Sequence, residues 1–269
     1  MKNPIKLFIL SLLSLLINTH ILASSLKEIK KRGHLTVACE PGFLPFEMLT
    51  QKGEFVGFDI EMMRAFAKDI GVEAKFISTK WDGIIPGLMA KKYDVIVSGM
   101  TITPERARAV LFSEPYYNAG LKIMIKKDLI GKIKSLQELD DPKYTVAVKL
   151  GTTGDIFVQK NVKKARIRKL DTEADAAQSV ILGRVDAFIY DKPYLEIYSA
   201  SKKSQVGLLD EVLSKEQFGL AARKQDQELI TAFNAFLKRW KADKKNGYDH
   251  VYRQVFDEMT WKEHFPQMF

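Results

Sequence analysis

Nine consecutive residues, Ser98-Gly99-Met100-Thr101-Ile102-Thr103-Pro104-Glu105-Arg106, place a hydroxyl, backbone groups and a guanidinium between a strand end and a helix start. A planar guanidinium can grip a carboxylate through two parallel hydrogen bonds. The helix start is legible because Thr103 supplies a capping hydroxyl, Pro104 a first-turn proline and Glu105 an acid. A second candidate follows the strand pattern Tyr144–Lys149: Gly151-Thr152-Thr153-Gly154 opens a helix whose free N–H groups and dipole suit an anion. Spacing alone equally allows Arg106 a surface ion pair with Glu105 or Glu114.

Other chemistries find little support. Beyond the N-terminal segment the histidines are His34, His250 and His264, and there is no Gly-x-Ser-x-Gly elbow, His-x-x-x-His spacing or Walker-type loop. The single cysteine, Cys39, excludes a disulfide scaffold and a zinc site of cysteine pairs, and reads as a free buried thiol. No metal or cofactor is implied. With 42 Lys and Arg against 33 Asp and Glu, the 269-residue chain carries +9. Its densest basic run, Lys160 to Lys169, lacks the interleaved aromatics that stack bases. It reads as a solvated surface, so nucleic acid is not an expected partner.

The elements that must position these residues alternate between strand and helix. Residues 1–23 combine Lys2 and Lys6, an apolar run from Leu7 to Ile17 and a small-residue end at Ala23-Ser24, which reads as a cleaved signal peptide. That apolar run is far short of the about 20 residues a membrane span needs. Cleavage removes two lysines and no acid, leaving +7, and no cysteine stands near it for a lipid anchor. Retention of such a protein implies a periplasm.

In the mature chain a capping box, Ser25 to Glu28, opens a short helix. Strands follow at His34–Glu40, Glu73–Ile77, Asp94–Ser98, Leu121–Ile125, Tyr144–Lys149, Arg166–Leu170 and Ala187–Tyr190, separated by helical patterns such as Asp59–Ile70 and Thr172–Leu182. Two helical patterns, Asp226–Ala242 and Tyr248–Glu258, close the chain. Near-continuous apolar strands alternating with helices indicate an α/β protein with mostly parallel sheets. Residues 88–98 (LMAKKYDVIVS) echo 180–190 (VILGRVDAFIY). The echo is either shared helix–strand grammar or two similar lobes whose strand ends, Gly99–Thr101 and Asp191, face one crevice.

Pro45-Phe46-Glu47, Gly57-Phe58-Asp59-Ile60, Trp81-Asp82-Gly83-Ile84-Ile85-Pro86-Gly87-Leu88, Ser98 through Arg106, Phe112 through Tyr117, Val148 through Gly154 and Gly183 through Phe188 occur in order. From about residue 34 to 257 the chain resembles the periplasmic polar amino-acid-binding proteins of ABC importers. The resemblance implies that Arg106 pairs with a ligand α-carboxylate, that Thr101 and the backbone at Ser98 and Gly99 bond the carboxylate and α-ammonium, and that Thr152 and Thr153 cap the carboxylate. It gives Asp191 the α-ammonium and makes Phe43 and Trp81 walls around the side chain, with Tyr190 a further candidate for selectivity. Glu40 occupies a usual acid position, and Lys149 resembles the lysine of glutamine-binding members.

The implied fold is the two-lobed type II periplasmic binding fold: lobe 1 from 25–118 plus 219–269, lobe 2 from 119–218, with a hinge of two crossings that closes on ligand. The implied partners are a free amino acid and an ABC permease with its ATPase, the binding protein being a monomer without cofactor. Glu40 would suit a cationic or amide side chain and Lys149 opposes a cation, so glutamine and the basic amino acids stand level. Two alternatives share the scaffold: a dehydratase acting on arogenate or prephenate, and a sensor acting through a membrane receptor.

Overall fold

The computed structural model describes residues 25–266; the signal-peptide reading lies outside them. Two five-stranded sheets form the cores of two lobes. The first has the order β4-β1-β5-β14-β6, built from β1 (His34–Cys39), β4 (Glu73–Ser78), β5 (Val95–Ile96), β6 (Leu111–Phe112) and β14 (Ala221–Ala222). The second has the order β10-β9-β11-β8-β12, from β8 (Leu121–Lys126), β9 (Thr145–Lys149), β10 (Arg166–Leu170), β11 (Ala187–Asp191) and β12 (Val206–Leu208). A hairpin of β2 (Met48–Leu49) and β3 (Phe55–Val56) brackets the Gln51-Lys52-Gly53 turn.

The expectation of mostly parallel sheets needs correction, because each sheet is mixed. In both, the first three strands pair in parallel and the last two join antiparallel. The antiparallel strands β8 and β14 are those the chain enters on leaving the connecting ribbon. That ribbon pairs β7 (Tyr117–Ala119) with β13 (Glu216–Phe218) antiparallel. The internal echo is a real correspondence, since β5 and β11 both occupy the third place of their sheets, between a parallel and an antiparallel neighbour.

Local patterns explain most elements. In β1, Leu35, Val37, Ala38 and Cys39 are all buried, as a central strand covered on both faces requires. The helix Phe58–Asp69 buries Ile60, Met63 and Ala67 on one face and ends before Gly71, whose φ of +79° suits glycine. Gln227–Ala242 buries Leu229, Ile230, Phe233, Phe236, Leu237 and Trp240, a stripe at helical spacing. The expected capping box at Ser25 is not made: the helix spans Ser25–Arg32, but Ser25 Oγ has no hydrogen-bond partner. A helix at Lys192–Ser201, with Pro193 in its first turn, had no expected counterpart. The C-terminal pattern splits into Tyr248–Tyr252 and a wider-turned segment, Arg253–Asp257. The basic run is exposed at Lys160, Lys163, Lys164, Arg166, Arg168 and Lys169.

Candidate functional site

The candidate residues converge because parallel strands of both lobes end at one crevice. Glu40 follows β1, Ser98 and Gly99 follow β5, Lys149 ends β9 and Asp191 ends β11. Together with Phe43, Trp81, Thr101, Arg106, Thr152, Thr153 and Tyr190 they line one cavity. Every residue expected in the site is therefore brought to it. Glu47 joins them, and the sequence reading quoted it without giving it a role.

Arg106 stands on the helix Pro104–Ala109, whose start is capped as expected: Thr103 Oγ1 accepts from Arg106 N. Its guanidinium does not form the surface ion pair that spacing allowed. It donates to Thr101 O (2.9 Å) in lobe 1 and Gly151 O (3.4 Å) in lobe 2. Its Cζ lies 5.0 Å from the Trp81 ring centroid, within cation–π range. Burial lowers the Arg106 pKa from its ordinary value, opposed by the charges of Asp191 and Glu216. Trp81 Nε1 also donates to Gly151 O (3.1 Å), a second link across the crevice.

Asp191 is buried, and its Oδ1 has no hydrogen-bond partner. Burial, reinforced by the charge of Glu216, pushes its pKa up to about 8, against the opposing pull of Arg106. Such a carboxylate is costly without a counter-charge.

Lys149 is also buried, and its ammonium donates to both Glu40 and Glu173, the latter at 2.6 Å. Burial works against its charge, but Glu173 and Glu40 outweigh that and raise its pKa. Glu173 was missed by sequence reasoning. It opens the helix Glu173–Ile181 just beyond β10, and Leu170 lies opposite Lys149 in the parallel register. An acid two or three residues past a strand paired with the lysine strand was the available signal.

The floor of the cavity rests on two further buried acids. Asp59 Oδ2 accepts from Gly99 N (3.0 Å) and Tyr116 Oη (2.8 Å), and Glu47 Oε1 accepts from Ser98 Oγ (2.6 Å). Ser98 Oγ in turn accepts from Glu40 N. Burial raises Asp59 to about 7 and Glu47 well above the usual carboxylate range, the latter helped by the charge of Asp59.

Gly99 has a φ of +51°, and a Cβ there would stand 2.2 Å from Phe43 Cε1. Phe43 is itself held by Phe46 (5.1 Å, stacked) and Tyr190 (5.8 Å, edge-on). Gly99→Ala is expected to cost about 1–3 kcal/mol in denaturant unfolding and to weaken ligand binding. A stability loss below about 0.5 kcal/mol, within surface-mutation scatter, would mean that Phe43 yields freely and does not shape the cavity.

Comparison with known proteins is in keeping with this geometry. The model of the "Bacterial extracellular solute-binding proteins, family 3" matches residues 35–258. The chain is 33% identical over 220 residues to the L-cystine-binding protein TcyJ of Escherichia coli (strain K12), covering 81% of each chain. It superposes on a binding component of an ABC transporter from Wolinella succinogenes complexed with lysine, with TM-score 0.82 and 40% identity over 86% of this chain and 99% of that one. It also matches the ancestral amino acid-binding protein AncCDT-1, a precursor of cyclohexadienyl dehydratase, with TM-score 0.81 and 42% identity over 87% of this chain and 100% of that one. The fold is the type II periplasmic binding protein fold.

Proposed function

We propose that this chain, which belongs to the bacterial extracellular solute-binding proteins of family 3, is the binding component of an ABC importer and captures an L-amino acid with a cationic side chain. The observation that carries this is the charge pattern of one cavity. Arg106, which forms no ion pair among the described residues, and Asp191, with an unpartnered oxygen, complement the two charges of a zwitterion. Desolvating a zwitterion is prohibitive unless both charges find partners, and charge-assisted bonds of roughly 1.5–3 kcal/mol each offset the cost.

The side chain is read by the remaining charges. Lys149 was expected to oppose a cationic ligand, but it is bonded to two carboxylates, so the cluster with Glu40 and Glu173 carries one surplus negative charge. A ligand ammonium or guanidinium would satisfy that surplus, whereas a neutral amide would not. The 40% identical solved relative complexed with lysine supports the same choice.

On this reading lobe 1 comprises 25–118 and 219–269 and lobe 2 comprises 119–218. Membership of the two sheets supports the division, with the Tyr117–Ala119 and Glu216–Phe218 ribbon as the hinge. A ligand touching both lobes stabilises the closed form, which a permease with its ATPase then reads. The protein works as a periplasmic monomer, released by cleavage near residue 23, binding its ligand without chemical change.

A thermal-shift screen of the twenty amino acids and cystine tests the reading. Arginine or lysine at 100 times its dissociation constant is expected to add about 2.7 kcal/mol, a rise in Tm of roughly 5–10 °C. Glutamine or cystine giving the largest shift would overturn the side-chain assignment, and silence from every amino acid would overturn the function. Arogenate and prephenate belong in the same screen, where turnover of either would make the protein an enzyme.

A further inference from the structure

Glu216 opens the second strand of the connecting ribbon and does not line the cavity. Its carboxylate nevertheless reaches both lobes. Oε2 accepts from Thr101 Oγ1 (2.9 Å) in lobe 1 and from Thr153 Oγ1 (2.8 Å) at the start of a lobe 2 helix. Oε1 accepts from Ser214 Oγ (2.8 Å), which itself accepts from Leu121 N. Thr101 and Thr153 both line the cavity.

A hydroxyl has one proton to donate and two lone pairs to offer, and a carboxylate only accepts. Both threonine protons are therefore committed to Glu216, and what these hydroxyls present to the cavity is lone pairs. We infer that Glu216 is a positioning residue that sets the polarity of two hydroxyls, one from each lobe, so that they accept from a ligand ammonium and cannot donate to a ligand carboxylate.

This rests on the amino-acid reading above and sharpens it. The resemblance assigned Thr101 to carboxylate and ammonium alike and Thr153 to the carboxylate. Through their hydroxyls, both now belong with Asp191 on the ammonium. The carboxylate is left to Arg106 and to backbone N–H groups, so the ligand has one orientation in the cavity. Because a single oxygen holds one hydroxyl of each lobe, the polarity is set only while the lobes are together.

The test compares each amino acid with the same molecule lacking its α-ammonium: L-arginine with 5-guanidinopentanoate, and L-lysine with 6-aminohexanoate. Affinities are measured by calorimetry on the full mature chain. Glu216→Met frees both hydroxyl protons and is expected to lower the preference for the amino acid about 10- to 100-fold, with the ammonium-free analogue binding as well as before or better. Glu216→Gln, whose amide oxygen can still accept from both threonines, is expected to restore most of the preference. Thr153→Val, which changes no residue of the ribbon, should likewise weaken the amino acid and spare its analogue. Equal losses for both members of a pair in Glu216→Met and Thr153→Val would overturn the inference and leave Glu216 a structural residue. If the parent protein binds no amino acid, the underlying reading fails instead, which the first titration reveals.

Discussion

Arg106→Ala is expected to weaken ligand binding by about 10²- to 10⁴-fold while the protein stays folded. A guanidinium–carboxylate pair forms two parallel charge-assisted bonds, each of roughly 1.5–3 kcal/mol. Arg106 is the residue in the cavity suited to that geometry, and its existing contacts are to carbonyls and to the Trp81 face. The variant loses two hydrogen bonds of its own, but the helix Pro104–Ala109 keeps its Thr103 cap and none of its residues, the part-buried Arg106 included, is fully buried. Calorimetry and circular dichroism on the same preparation separate the effects. Affinity within tenfold of the parent in a folded variant would remove Arg106 from the carboxylate site.

Asp191 supplies the second large effect, and it is a pH dependence. Its carboxyl is held up to about 8 by burial first and by Glu216 second. Below that pH the ligand-free protein carries a proton on Asp191. A bound ammonium favours the charged form, so binding expels the proton. Affinity must therefore fall as pH is lowered beneath 8, with a slope that approaches about tenfold per unit and a total of about 50-fold between pH 8 and pH 6. Titrations at pH 6 in buffers of different ionisation enthalpy are expected to show nearly one proton released, and only about a quarter of one at pH 8.5. Asp191→Asn should abolish this release and flatten the profile. Its affinity at pH 8 should drop about 10- to 150-fold. A parent protein with a flat profile from 6 to 8 would mean that Asp191 does not take the ammonium.

The same carboxyl makes the ligand-free fold sensitive in a definite direction. Its pKa is raised above the unfolded value, so the native state holds a proton that the unfolded chain gives up. Stability contributed in this way declines as pH rises from about 4 towards 8.

The reasons why some of this was legible in the sequence and some was not are physical. Arg106, Thr101 and Asp191 stand at or just beyond strand ends, and parallel strands deliver their carboxyl ends to one edge, so local patterning located them. Lys149, which ends β9, was named only through the family resemblance. Its partner Glu173 was not, because only the register of β9 against β10 brings the two together, and register is invisible to local pattern. Glu216 was missed because its importance depends on where the chain recrosses between lobes. The mixed character of the sheets was hidden by strands as short as Val95–Ile96, Leu111–Phe112 and Ala221–Ala222, too brief to show any period. Glu47 and Asp59 were quoted within motifs, but their support of Ser98 and Gly99 is a contact across 51 and 40 residues.

The chain has three tryptophans, and two of them, Trp240 and Trp261, are buried in the lobe 1 core. Trp81 alone stands in the crevice, its indole N–H on Gly151 O of the facing lobe and its ring near the charges of Arg106 and Lys149. The molecule thus carries its own optical reporter. When the lobes part, Trp81 exchanges the Gly151 carbonyl and the Lys149 ammonium for water and keeps Arg106, its neighbour in the same lobe, while the other two indoles keep their surroundings and provide a steady background. Its emission is a gauge of the crevice itself, so a stopped-flow trace of the unlabelled protein would time the motion as it happens.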